Sequence, residues 1–362
     1  MNVFFVGPYR QSDNWGKVSR SFLRLLHSQE NVDVVSRPIF YNINSTVKDI
    51  GVLESGEHKK LSERDILIQF GLPITFVYDG TFKKNIAVTM VESKVENIGW
   101  TTSLNQMDQI IVFSETEKRL LEESGITTEI TALEVAPFAF DNSMSEEIKI
   151  ESNNRTIFYT DARPSDSSGL EQTITSYLNT FTSGDNVGLI VFSNQNEQEA
   201  VQKVIEDTKQ KLSIFSDDRN YPSISIVPNK NQDILNYAHN NLSFYISIAN
   251  NSVIGNEVMQ AFMFNRPVIL LDTYGKVLDG DSEYPLVVKS NEVVCKTTSR
   301  SYPSMNYGKD TWNQACEVSL SKIMLDVYNK DNIVQLSKEL IGKFNMNFDN
   351  KTSTGVGKAI CL

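Results

Sequence analysis

The sequence predicts an α/β chain of two Rossmann-like domains facing a central cleft, on three observations. Short apolar runs alternate with helically spaced apolar positions in two series, separated by the polar stretch Asp141 to Asn154. The length, 362 residues, exceeds what one hydrophobic core usually organises. The composition, 40% apolar and 22% charged with only 18 Gly and 10 Pro, belongs to a globular chain rather than a collagenous or disordered one. The expected division is a first domain over 1–145, a second over 155–343, and a tail, 344–362, able to cross back to the first.

The elements follow in order. Val3-Phe4-Phe5-Val6 closed by Gly7-Pro8 reads as a buried parallel strand ending in a turn. Val18 to His27 has apolar residues at 18, 22, 23, 25 and 26, which is helical spacing. Strands are expected at Val32–Val35, Ile66–Gln69, Asn85–Met90 and Gln109–Phe113. Ser114 reads as the N-cap of a helix over Glu115–Ser124, with Glu115 and Glu117 favouring its dipole and Gly125 ending it. Glu134–Phe138 reads as a further strand before the polar hinge. The second series predicts strands at Thr156–Tyr159, Gly188–Phe192, Ile224–Val227, Phe244–Ile248 and Val268–Leu271. Helices between and after them are expected at Leu170–Phe181, Glu197–Leu212, Gln232–Asn240, Glu257–Phe264 and Lys322–Lys343. In such sheets a ligand lies at the carboxyl ends of the strands.

Charge and rare residues exclude several chemistries. With 34 basic against 45 acidic side chains the net charge is −11, which argues against a nucleic-acid partner gripped through phosphates. Cys295, Cys316 and Cys361 share no short spacing, and His27, His58 and His239 are scattered, so no metal-site motif is present. No stretch approaches the ~20 apolar residues of a transmembrane span, and Val3–Val6 is too short for a signal-peptide core. A cytoplasmic, metal-independent protein is the expectation.

Several segments resemble, in order, those of family 4 glycosyltransferases of the two-Rossmann (GT-B) fold. Near the end of the first domain these are Glu92-Ser93, Trp100, Leu104-Asn105, Met107 to Ser114 and Glu134 to Pro137. In the second domain Gly255-Asn256-Glu257-Val258-Met259-Gln260-Ala261-Phe262, followed by Asn265 to Ile269, resembles the donor-site helix and the strand after it. Trp312, Leu320, Met324 and Tyr328 resemble the region beyond. The resemblance implies transfer of a sugar from a nucleoside-diphosphate-sugar, with retention of configuration and no cofactor or divalent metal, to a glycan or other small or polymeric acceptor.

Each candidate residue carries a second, purely structural reading. In the loop Gly7 to Lys17, Gly16 lets backbone approach a donor phosphate, Trp15 and Lys17 face the acceptor side, and Arg20 adds charge; alternatively, this is a glycine turn with a packed tryptophan. Glu92 lies just past a strand end, matching an acidic residue on the acceptor side, or else it caps the next segment. Arg163 matches the arginine of the family's diphosphate-neutralising Arg…Lys pair, or makes a surface ion pair; Ser167 and Ser168 stand where the lysine is missing, leaving Lys230 or Lys276 as substitutes. Anchored on Pro267, the family's two glutamates fall on Ser252 and Gln260. Gln260 can still bond a ribose diol, Glu257 can take over sugar contact, and Gly255, Asn256 and Glu257 open an anion-binding helix N-terminus. The alternative for this helix is plain packing of Val258, Met259, Ala261 and Phe262. These departures keep two other functions open: a catalytically inactive glycosyltransferase-like binding partner, and an enzyme glycosylating modified DNA bases.

Overall fold

The computed structural model describes residues 1–41, 43, 46–91, 98–133, 155–161, 168–213, 220–228, 232–249, 256–275, 284–294 and 311–361, with backbone alone at 98, 232, 256, 274–275, 344–355 and 361. The first series comprises β1 (Asn2–Gly7), α1 (Asn14–His27), β2 (Asp33–Pro38), α2 (Glu54–His58), β3 (Ile66–Phe70), β4 (Lys84–Val88), α3 (Ile98–Asn105), β5 (Gln109–Val112), α4 (Glu115–Glu123) and β6 (Ile130–Ala132). Its strands form one parallel sheet in the order β2-β1-β3-β4-β5-β6. Every residue of β3 and β5 is buried, as a parallel strand covered on both faces requires.

The second series comprises β7 (Thr156–Thr160), α5 (Leu170–Thr180), β8 (Val187–Phe192), α6 (Gln198–Ser213), β9 (Ile224–Val227), α7 (Gln232–Asn241), β10 (Phe244–Ser247), α8 (Asn256–Met263), β11 (Val268–Leu271), α9 (Asp272–Gly275) and β12 (Val287–Val288). These strands form a second parallel sheet, β12-β11-β10-β7-β8-β9. After them come the antiparallel pair β13 (Ser290–Val294) and β14 (Thr311–Ala315), then α10 (Glu317–Asn329) and α11 (Asp331–Cys361). The fold is therefore α/β with two Rossmann-like sheets, the GT-B architecture.

The strand order reverses between β1 and β3 in the first sheet and between β7 and β10 in the second. At such a switch point neighbouring crossovers leave in opposite directions and open a crevice beyond the carboxyl ends. The loop 8–13 and the start of α1 sit at the first crevice; Asp161 and the start of α8 sit at the second.

The elements α2, α3, α9 and β12 to β14 are additional to the sequence expectation, and two further details differ from it. The helix expected over Lys322–Lys343 is two helices, interrupted at Lys330, whose extended backbone (φ −133°, ψ 95°) separates α10 from α11. The short edge strand β6 has no counterpart in the sequence pattern: Ile-Thr-Ala carries too little apolar periodicity, and pairing with β5 makes it a strand. Ser114 caps α4 through Glu117 N at 3.1 Å, and Gly125 follows in the left-handed region at φ 82°. The strand expected at Glu134–Phe138 and the hinge Asp141–Asn154 lie outside the described residues.

The long α11 ties the two halves together. Leu340 and Ile341 belong to the core around the second sheet, whereas Val356, Ala359 and Ile360 belong to the core around the first. The tail thus returns to the first sheet and packs beside α1.

Candidate functional site

The first crevice is built by a tightly braced loop. Asp13 caps α1, its Oδ1 accepting from Gly16 N at 2.9 Å, so that N–H is already satisfied. A Cβ at position 16 would lie 2.0 Å from the Gln11 carbonyl oxygen. The close approach that demands glycine there is made by the chain's own backbone. Arg20 extends beneath the loop and donates from Nη1 to Tyr9 O at 2.7 Å and to Gln11 O at 2.5 Å. Burial, with Arg24 nearby, pushes its guanidinium down to about 10 against the opposing pull of Asp13. Arg20 therefore shapes the loop from inside. Trp15 is buried in the first core, edge-on to Tyr41 and to Phe70.

Lys17 leaves this loop toward the second half of the chain. Its Nζ lies 3.9 Å from Glu257 Oε1, in the first turn of α8. Both side chains are partly exposed, so the pair is accessible to a ligand and contributes little to stability. Gln260, one turn further along α8, is buried, as are Val258, Met259, Ala261 and Phe262. Among the described side chains, Glu257 is thus the polar one at the opening turn of α8.

A second carboxylate comes from the end of β7. Asp161 Oδ1 accepts a hydrogen bond from the Tyr245 hydroxyl, on the adjacent strand β10. Tyr245 is buried, and burial first, then the charges of Asp161 and Glu257, holds its phenol far above the ordinary tyrosine range. The neutral phenol is fixed as a donor, which orients Asp161. Behind it the Tyr159 hydroxyl and His239 Nδ1 are 2.9 Å apart, and both residues are fully buried. Nothing in the local sequence around Asp161 marks it as a site residue. The available signal is Tyr245, a hydroxyl in the run Phe244–Ile246 that needs a partner on a neighbouring strand.

The geometry thus assembles Lys17, Glu257 and the braced turn from Gln11 to Gly16, with Asp161 held beside the strand preceding α8. Asn256 opens α8 through its backbone. Arg163, Glu92 and Gly255, with Ser252, Lys230 and Lys276, lie outside the described residues. Among the described residues no group of three or more His, Cys, Asp and Glu could hold a metal ion, and no helix is long and apolar enough to cross a membrane. An ammonium, carboxylates and a helix start at two facing crevices suit a ligand carrying both an anionic group and hydroxyls.

No protein-family model matches the sequence, and no curated protein matches it significantly. Solved structures do. The N-terminal domain of Candida albicans trehalose-6-phosphate phosphatase aligns over 99% of this chain and 96% of its own, with TM-score 0.61 and 12% identity. An E. coli trehalose-6-phosphate structure bound with UDP-2-fluoro glucose aligns over 99% of each chain, with TM-score 0.61 and 9% identity. A UDP-forming α,α-trehalose-phosphate synthase from Burkholderia xenovorans, in complex with glucose-6-phosphate, aligns over 85% of this chain and 76% of its own, with TM-score 0.54 and 10% identity. At these identities the likeness is one of fold.

Proposed function

We propose that this chain is a glycosyltransferase that moves a sugar from a nucleoside-diphosphate-sugar to an acceptor, with retention and without a divalent metal. The observation that carries the reading is the 3.9 Å approach of Lys17 to Glu257, which brings the first crevice onto the opening turn of α8. The fold shared with structures holding UDP-2-fluoro glucose and glucose-6-phosphate supports it.

In this mechanism the bond between the sugar C1 and the diphosphate oxygen breaks as a bond from C1 to an acceptor oxygen forms on the same face. The acceptor proton passes to the leaving phosphate oxygen, so no separate base is required. Charge building on the diphosphate is met by Lys17, by Arg163 and by the N–H groups at the start of α8. Glu257, released from Lys17 by the arriving anion, accepts from donor hydroxyls, taking the part that Ser252 cannot fill. The acceptor lies on the first domain, the side to which the resemblance assigns Glu92.

The chemistry is tested by incubating the chain with UDP-, GDP- and ADP-linked sugars and following free sugar or transfer product. Turnover that disappears in Arg163→Ala and in Glu257→Gln supports the reading. One observation favours the second reading, an inactive nucleotide-binding partner: Ser167 and Ser168 leave the diphosphate short of one cation. Nucleotide binding without turnover of any donor would establish that alternative.

A further inference from the structure

We propose that Asp161 binds hydroxyl groups of the sugar carried by the donor, and that Tyr245 is the residue that positions it. The inference rests on the glycosyltransferase reading and adds to Glu257 a second carboxylate for the sugar.

Two observations lead to it. The first is placement. Asp161 directly follows β7, where the strand order of the second sheet reverses, so it stands at the carboxyl edge where such sheets hold their ligands. Its side chain is half-buried rather than lost in the core. Glu257 approaches the same place from the first turn of α8, and its charge and that of Asp161 both bear on the Tyr245 hydroxyl. Lys17 Nζ, from the first crevice, lies 3.9 Å from Glu257 Oε1. Carboxylates arriving from two elements suit the hydroxyls of one sugar ring, because each accepts at both of its oxygens.

The second observation is how Asp161 is held. Tyr159 and Tyr245 are register partners across β7 and β10, with ring centroids 5.2 Å apart, and both are buried. Their hydroxyls go to different places. That of Tyr159 meets His239 Nδ1 at 2.9 Å, inside the core. That of Tyr245 donates to Asp161 Oδ1, at the crevice. Burial above all, with the charges of Asp161 and Glu257, keeps the Tyr245 phenol neutral, so it remains the donor and Asp161 the acceptor. A phenylalanine would fill the same strand position without needing a partner. The hydroxyl therefore acts on Asp161, fixing one oxygen and leaving the carboxylate less freedom to lose when a sugar hydroxyl arrives.

The test titrates UDP-glucose, UDP-N-acetylglucosamine, GDP-mannose and ADP-glucose, with UDP, GDP and ADP alongside, by calorimetry. The chains compared are the parent, Asp161→Asn, Tyr245→Phe and the double variant. The readout is the affinity for a sugar nucleotide relative to that for its own nucleoside diphosphate, a ratio that an unfolded fraction of the sample does not change. Asp161→Asn should lower this ratio about tenfold or more for the donor bound best, because charge-assisted hydrogen bonds to the sugar are lost. Tyr245→Phe should lower it several-fold, and the double variant should fall no further than Asp161→Asn, since Tyr245 acts through Asp161. An unchanged ratio in Asp161→Asn overturns the inference and leaves the glycosyltransferase reading standing. Losses in the two single variants that add in full overturn the positioning by Tyr245. Free glucose, mannose and N-acetylglucosamine, followed by saturation-transfer NMR, separate the two readings. Sugar binding that needs Asp161, without binding of any nucleotide, upholds the sugar site and removes transfer. Binding of neither nucleotides nor sugars overturns both.

Discussion

Gly16 shows how a residue picked out for one reason can be held in place for another. With the Gln11 carbonyl 2.0 Å from where a Cβ would stand, Gly16→Ala must displace backbone rather than a flexible side chain. It should destabilise the chain by about 2–3 kcal/mol, readable as a lower urea midpoint. His27 offers a titration at the same scale. Burial, with Lys59 nearby, holds its pKa below the ordinary 6.5, only partly opposed by Asp33. The folded state therefore resists a proton that the unfolded chain accepts. The associated stability is present above pH 6.5 and is lost as pH falls from there toward the depressed folded value. Urea midpoints should accordingly drop between pH 7.5 and 5.5, and His27→Gln should flatten that slope. The meeting of Lys17 with Glu257, or of Asp161 with Tyr245, was not legible in the sequence. Such pairs depend on which strand ends the topology brings together, and one sequence carries no record of that pairing.

At the scale of elements, most strands were legible because a parallel strand covered on both faces must be an unbroken apolar run. Val187–Phe192 and Val268–Leu271 are of this kind, and Ile66–Phe70 departs from it only at Gln69. The Lys330 break between α10 and α11 carries neither Pro nor Gly, and the Asn-rich course of α11 has poor intrinsic propensity. Its helical state there follows from packing at both ends rather than from local preference. Glu117 illustrates an element held by one side chain. It is fully buried, and its carboxylate accepts from Val91 N at 2.7 Å and Phe113 N at 2.8 Å, joining the starts of two loops. The sequence marked it only as a favourable first-turn charge. Glu117→Gln turns an amide donor toward one of these buried N–H groups. It should cost about 2 kcal/mol or more in urea unfolding, well beyond an ordinary first-turn charge effect.

Across the whole molecule, the two sheets present their switch points to one another, and α11 spans both cores. The net charge of −11 makes the arrangement demanding, because an anionic ligand must be met by a few well-placed positive groups. Lys17 is the described cation that faces the opening of α8. The exposed Lys17–Glu257 pair is worth about 1 kcal/mol or less to folding, so Lys17→Met should leave stability almost unchanged. Its effect on ligand binding should be much larger. Calorimetric titration of the parent chain and of Lys17→Met with UDP, GDP and ADP tests this most directly. The account predicts that at least one of the three nucleotides binds the parent chain and binds about tenfold or more weakly to the variant. Absence of binding by all three at millimolar concentration, or equal binding by the two chains, would contradict it.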